Sequence, residues 1–320
     1  MTLAVGSIAA IRLGVVVPCY NEQEVLPETN KRLRALLSSM ESQGLITADS
    51  QICYVDDGSA DTTWSLIESL AADDSRVHGI KLSGNRGHQN ALLAGLFSVD
   101  ADAIVSIDAD LQDDVSAIEE MVRHFIAGAE IVYGVRSERT TDTMFKRSTA
   151  VGYYTLLRKF GVKLVHNHAD FRLMGRRAID ALKQYSEVNM FLRGIVPMLG
   201  YRTETVYYAR AERFAGESKY PFRKMLAFAI EGITSFSVVP LRLITMLGFA
   251  ISLFSFLMII VVIYGRFFTH NLIPGWASSV VPIYFLGGIQ LLCIGILGEY
   301  VAKIYLETKA RPRYFIEKVC

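Results

Sequence analysis

VVVPCYNE, Val15 to Glu22, reads as a buried strand that ends at Pro18 and hands over to a helix. A strand this apolar suits a position covered on both faces, as in a parallel sheet between layers of helices. The same alternation continues from Leu13 to about Tyr208, where short β-branched runs are separated by longer amphipathic stretches. Strands are expected at Leu13–Pro18, Ile52–Asp56, Val77–Leu82, Ala103–Ile107, Glu130–Val135 and Thr203–Tyr208. Between them, Leu26, Leu33, Leu36, Leu37 and Met40 share one helical face, and Ile118, Met121, Val122 and Phe125 share another. The pattern predicts an α/β fold, a Rossmann-like and mostly parallel sheet with flanking helices.

Open α/β sheets bind ligands at the carboxyl edge of their strands, so the residues just past each strand carry the functional argument. The second strand ends in YVDDGSADTT (Tyr54–Thr63), which brings Asp56 and Asp57 to that edge. A Gly58 turn with Ser59 or Asp61 capping a helix accounts for part of this pattern. It leaves unexplained why two acids follow an apolar strand. Carboxylates there can accept hydrogen bonds from a base imide or from ribose hydroxyls.

The fourth strand ends in SIDADLQDD (Ser106–Asp114). Asp108 and Asp110 are two apart, so on extended backbone both point the same way. Two like charges that close call for a cation. Oxygen ligands without His or Cys suit Mg²⁺ or Mn²⁺, with a diphosphate completing the shell, and Gln112 could add a carbonyl. Asp113 and Asp114 are read as helix N-terminal charge opposite the macrodipole. Arg136, Arg139, Lys146, Arg147 and Arg172 cluster around the loops after the fifth strand, where an anionic acceptor would need them. Arg136 and Arg139 stand out because they follow a strand end. His88 fits either a helix N-terminus facing phosphate or a capping role.

The 320 residues are 51% hydrophobic, and 33 Lys+Arg against 32 Asp+Glu leave a net charge of +1. That balance gives no global field for nucleic acid. The four cysteines show no metal-ligand spacing, which suits a reduced, cytosolic domain. The apolar start, Met1–Ala10, lacks a basic n-region and is not read as a cleaved signal. After Pro221 the composition changes. Phe222–Phe236 is amphipathic and fits either the membrane interface or a packed helix. Leu243–Tyr264 and Val280–Gly298 are uncharged runs of 22 and 19 residues, each long enough to cross a bilayer. Basic residues precede the first run and crowd the tail, whereas the loop between the runs offers Arg266 and His270. The positive-inside rule therefore places both termini in the cytosol. The organisation expected is a catalytic domain over 1–220, a juxtamembrane segment over 221–240, two transmembrane helices within 241–302 and a basic tail over 303–320.

Taken together, VVVPCYNE, DDGSADTT, GHQNALLAG, DADLQDD, ADFRLM (Ala169–Met174), RAERFAGESKY (Arg210–Tyr220), EGITSFSVVPLR, FLGGIQ and the GEY-to-KARPRY tail resemble the family-2 glycosyltransferases of GT-A fold. More narrowly, the chain is similar to the bactoprenol glucosyltransferases and related polyisoprenyl-phosphate glycosyltransferases, dolichol-phosphate mannosyltransferase-like proteins among them. The similarity runs over nearly the whole chain.

The resemblance implies that Pro18, Tyr20, Glu22 and Asp57 frame the nucleobase and ribose, with Asp56 nearby. It implies that Asp108, Asp110 and Gln112 hold the metal against the diphosphate. Asp170 matches an acidic position near the reacting sugar and acceptor, either orienting hydroxyls or accepting a proton. Arg213 and Lys219 match basic positions near the donor diphosphate or the lipid phosphate, and with Asp110 and Asp170 complete the expected catalytic set. Asp114 and Ala169 depart from the relatives' usual Pro and Gly. The implied reaction is an inverting transfer of a hexose, glucose from UDP-glucose by resemblance, to undecaprenyl or another polyisoprenyl phosphate at the cytoplasmic face of the inner membrane. Mannose or a 4-amino-arabinose derivative are alternative sugars, and self-association stays open. A processive synthase would need more spans and a QxxRW motif, which neither Trp64 nor Trp276 provides. A non-catalytic nucleotide-sugar-binding protein would bind donor without turnover, and two largely apolar helices make a poor flippase path.

Overall fold

The computed structural model describes residues 10–137, 168–188, 190–209, 239–264 and 276–320. Two compact units emerge, one comprising 1–148, 164–219 and 310–320, the other 149–163 and 220–309. In the first unit the chain runs β1 (Leu13–Cys19), α1 (Leu26–Ser42), β2 (Gln51–Asp56), α2 (Thr63–Asp73), β3 (Val77–Leu82), α3 (His88–Ser98), β4 (Ala103–Ser106), α4 (Ala117–Ile126) and β5 (Ile131–Arg136). It continues through β6 (His168–Gly175), α5 (Arg176–Lys183), α6 (Leu192–Met198) and β7 (Thr203–Tyr208). The second unit contains α7 (Val239–Tyr264) and α8 (Trp276–Thr308), after which β8 (Ile316–Val319) returns to the first.

These strands form one eight-stranded sheet in the order β7-β5-β6-β4-β1-β2-β3-β8. The pairs β1–β2, β1–β4, β2–β3 and β5–β7 are parallel, as the apolar runs predict. Every residue of β1 is buried, and α1 covers it through Leu26, Leu33, Leu37 and Met40. At about 25 cal/mol per Å² of apolar surface removed from water, such double coverage is the main stabilising term.

Six of the eight strands run in one direction, as expected of a mostly parallel sheet, and β6 and β8 oppose them, which makes the sheet mixed. β6 runs antiparallel between β4 and β5, with Ser106 opposite Arg172 and Tyr133 opposite Arg172. Its sequence, HADFRLMG, carries charges where a buried strand carries apolar residues, and these hide it from a reading of periodicity. β8 was also missed. Ile80 pairs with Val319 and Lys81 with Lys318, so the residues read as a basic tail end as an edge strand. Four residues are too short a stretch for alternation to be recognised.

Among the described residues, one helical stretch, Phe285–Thr308, is both long and apolar enough to cross a bilayer, and Val239–Ile251 is a shorter apolar one. The juxtamembrane expectation for Phe222–Phe236 lies outside the described residues.

Candidate active site

The parallel register sets the site. Cys19 lies opposite Asp56, and Val16 lies opposite Ser106, so the segments after β1, β2 and β4 leave the sheet side by side. The amide of Asp57 donates to the carbonyl of Cys19 (2.9 Å), and that of Ile107 donates to Val16 (3.1 Å), which extends the pairing past the strand ends. The segment 21–23 and the turn 59–63 are stitched to each other. Asn21 N donates to Ser59 Oγ (2.9 Å), Glu22 N to Thr63 Oγ1 (2.9 Å) and Ala60 N to Asn21 Oδ1 (2.9 Å). Gly58 has φ +72°, and a Cβ there would lie 2.7 Å from the backbone of Gly84 and Asn85, so only glycine lets these loops meet.

Pro18, Cys19, Tyr20, Glu22, Asp57, Asn85, Gly87, His88, Ala91, Asp108, Ala109 and Asp110 line one cleft of about 260 Å³. Pro18, Tyr20, Glu22, Asp57, Asp108 and Asp110 are therefore brought together as expected. Tyr20 is half exposed. The extended geometry invoked for Asp108 and Asp110 is not what aligns them. β4 ends at Ser106, and the chain turns through Leu111 at φ +56°, so a tight turn directs both carboxylates into the cleft. Asp110 Oδ1 accepts the amide of Gln112 (3.2 Å) and helps to hold that turn.

Several expected roles change. Asp56 is fully buried and faces the Ser59 amide (3.3 Å), away from the cleft lining. Burial raises its pKa, and the Ser59 contacts offset part of that rise. Asp57 lines the cleft, yet its two oxygens accept the amides of Arg86 (2.6 Å) and Gly87 (2.8 Å). Burial raises this pKa as well, opposed by the same two amides. Its described contacts thus fix the 85–87 loop that forms the opposite wall. Gln112 is buried and is not part of the cleft lining.

Arg136 and Arg172 are placed differently from free phosphate-binding arginines. Arg136 donates through Nε (3.2 Å) and Nη2 (2.9 Å) to Asp113 Oδ1, which also accepts the hydroxyl of Tyr208. Asp113 is buried, so its reading as helix-terminal charge is corrected: it locks the loop after β4 to the ends of β5 and β7. Asp114 keeps the expected place by accepting the Ser116 amide (2.9 Å) just before α4. Arg172 is 2% exposed and donates to Asp170 (2.7 Å), a core ion pair on β6. Arg139, Arg213 and Lys219 lie outside the described residues.

Asp170 gathers charge. Besides Arg172, it accepts Arg193 Nη2 on Oδ2 (3.0 Å) and Nε on Oδ1 (3.3 Å). Burial alone would raise its pKa, but the facing guanidinium groups of Arg172 and Arg193 hold it well below the usual carboxylate range. Arg193, on α6, was missed by sequence reasoning; an arginine opening a short apolar helix, FLRGIV, was the signal available. His88 Nε2 meets Asp108 Oδ1 at 2.8 Å. Burial lowers the His88 pKa, yet the bond to Asp108 and the charges of Asp108 and Asp170 give a net rise. Among the described residues no group of three or more His, Cys, Asp and Glu converges on a metal site.

The strands of this α/β sheet collect Asp57, Asp108 and Asp110 at their carboxyl edge, in a cleft beside the half-exposed Tyr20. The chain belongs to glycosyl transferase family 2, whose pattern matches residues 14–183. It is similar, at 50% identity over 95% of this chain and 91% of the other, to the uncharacterized glycosyltransferase YkoT of Bacillus subtilis (strain 168). It is 41% identical to the bactoprenol glucosyl transferase of Shigella phage SfX, over 96% of this chain and 99% of that protein. A prophage bactoprenol glucosyl transferase homolog of Escherichia coli (strain K12) is 40% identical over 97% and 99%.

Proposed function

We propose that this glycosyltransferase moves a hexosyl group, glucose from UDP-glucose, onto the phosphate of a polyisoprenyl lipid such as undecaprenyl phosphate. The observation that carries the reading is the cleft in which Asp108 and Asp110 face Pro18, Tyr20, Glu22 and Asp57. The relatives named bactoprenol glucosyl transferase support the lipid acceptor and the sugar.

Asp108 and Asp110 offer hard oxygens to Mg²⁺ or Mn²⁺, phosphate oxygens and water would complete the shell, and His88 holds Asp108 from the side through its 2.8 Å hydrogen bond. That ion, when bound, supplies charge neutralisation for the leaving nucleoside diphosphate. Tyr20 and Pro18 provide an apolar wall for the base, and the Asp57-braced loop fixes the facing wall. A phosphate monoester with a second pKa of about 6 is largely ionised at neutral pH, so the acceptor oxygen needs no strong base. Asp170, held ionised by two arginines, is a poor proton acceptor and instead orients Arg193. A single displacement with inversion follows. Arg213 and Lys219 retain their phosphate-binding assignment from the resemblance, and Arg139 its assignment from its place after the fifth strand.

Two membrane spans with both termini in the cytosol complete the proposal. Met246, Phe249, Leu291 and Ile294 are exposed on α7 and α8, an apolar surface suited to lipid. β8 gives a second argument. It lies in the same sheet as β1–β7, which is compatible with two crossings between β7 and β8 and not with one. The test is to incubate membranes containing the full chain with a panel of nucleotide-sugars and undecaprenyl phosphate, then weigh the lipid product. A hexosyl-phosphate lipid made from UDP-glucose is expected; no glycolipid from any donor would refute the reading.

A further inference from the structure

The segment that follows α8 reaches back to two places, the edge of β3 and the connection from α5 to α6. α8 stops at Thr308 because Ala310 adopts φ +43° and Pro312 cannot continue a helix. The chain then turns onto the edge of β3. Ser83 N donates to Phe315 O (3.0 Å), and Gly79 and Cys320 exchange amide–carbonyl bonds at 2.9 and 3.0 Å. Lys81 pairs with Glu317 (3.2 Å), and Lys318 pairs with Glu68. β8 thereby pins the end of β3, from which the 83–87 loop departs into the cleft.

Arg313 reaches a different place. Its Nε donates to the carbonyl of Glu187 (2.9 Å) and its Nη2 to that of Tyr185 (2.6 Å), both in the connection from α5 to α6. Two carbonyls held by one planar guanidinium fix that connection more closely than a single bond could. The far end of the connection is also tied down. Leu192 N donates to Gln89 Oε1 (3.2 Å), beside His88, and Leu192 O accepts Arg172 Nη1 (3.4 Å). The next residue is Arg193, on Asp170.

We propose that Arg313 is a positioning residue for sugar transfer: by holding the Tyr185 and Glu187 carbonyls it sets where α6 presents Arg193 to Asp170. It touches no substrate, and its effect on turnover rests on the glycosyl-transfer reading above. A displacement of about 1 Å at a reacting group can cost up to about a hundredfold in rate, so a strap this far from the chemistry can control kcat.

The test uses the full-length chain in membranes or detergent. Arg313→Ala should lower kcat about tenfold or more while leaving the dissociation constant for UDP-glucose within about twofold. Arg313→Lys, which keeps the charge but not the two-pronged grip, should fall between Ala and the unaltered chain. In an Arg193→Ala background, Arg313→Ala should add little further loss, because both act through one side chain. Amide hydrogen exchange of residues 185–198 should quicken in Arg313→Ala without substrate. That arm reads the proposal even if the donor or acceptor has been misassigned. The proposal is overturned if exchange there is unchanged, if kcat stays within about twofold, or if the two losses multiply. Should Arg313→Ala fail to accumulate, Arg313→Lys carries the exchange and kcat measurements by itself.

Discussion

Asp170→Asn separates an active-site carboxylate from one that also holds the fold together. Asp170 is 9% exposed and its partner Arg172 is 2% exposed, so the amide would leave a guanidinium in the core without its counter-charge. Removing one member of such a buried pair costs roughly 3–5 kcal/mol. At about 2–4 °C per kcal/mol for a unit of some 200 residues, the thermal midpoint should fall by roughly 10 °C. Asp110→Asn, at the open cleft, should leave that midpoint nearly unchanged while abolishing turnover. The assay is thermal unfolding of the detergent-solubilised chain by circular dichroism, alongside transfer of labelled donor. Acid titration gives a second handle. The ion pairs hold the folded-state carboxyl below its unfolded value of about 4, so its contribution is complete above that pH and is lost as pH falls further. Asp170→Asn should lack this acid-dependent loss. A midpoint within about 2 °C of the unaltered chain would refute the assignment of Asp170 and Arg172 as a buried structural pair.

Arg136→Ala should behave as a structural variant, because it strips the counter-charge from buried Asp113: melting should drop by several degrees with little change in acceptor KM, and a large KM rise without destabilisation would contradict this. Gly58→Ala should destabilise by about 1–3 kcal/mol, since it adds strain at positive φ to a backbone collision; denaturant titration would read it, and a neutral result would sink the close-approach argument. Chelation by EDTA should abolish transfer and added Mn²⁺ or Mg²⁺ should restore it, whereas full activity in EDTA would count against the metal role of Asp108 and Asp110.

Sequence alone determined the six parallel strands of the sheet. β1, β2, β3 and β4 are short apolar runs between amphipathic helices, and the acids that follow them must emerge at one edge because parallel strands end together. Local pattern is enough wherever burial and chain direction decide the outcome. The resemblance likewise pointed to Asp170, but neither it nor spacing could give the residue its partners. Arg193 and Arg313 approach from segments with sequence separations of 23 and 126 residues at the contacts they make, and β8 pairs with β3 across more than two hundred residues. Arg136 and Arg172 look like phosphate ligands when counted as charges along the chain, and only the fold shows them facing Asp113 and Asp170 instead. The physical reason is that desolvation and ion pairing depend on what surrounds a charge in three dimensions, which its neighbours in sequence do not record.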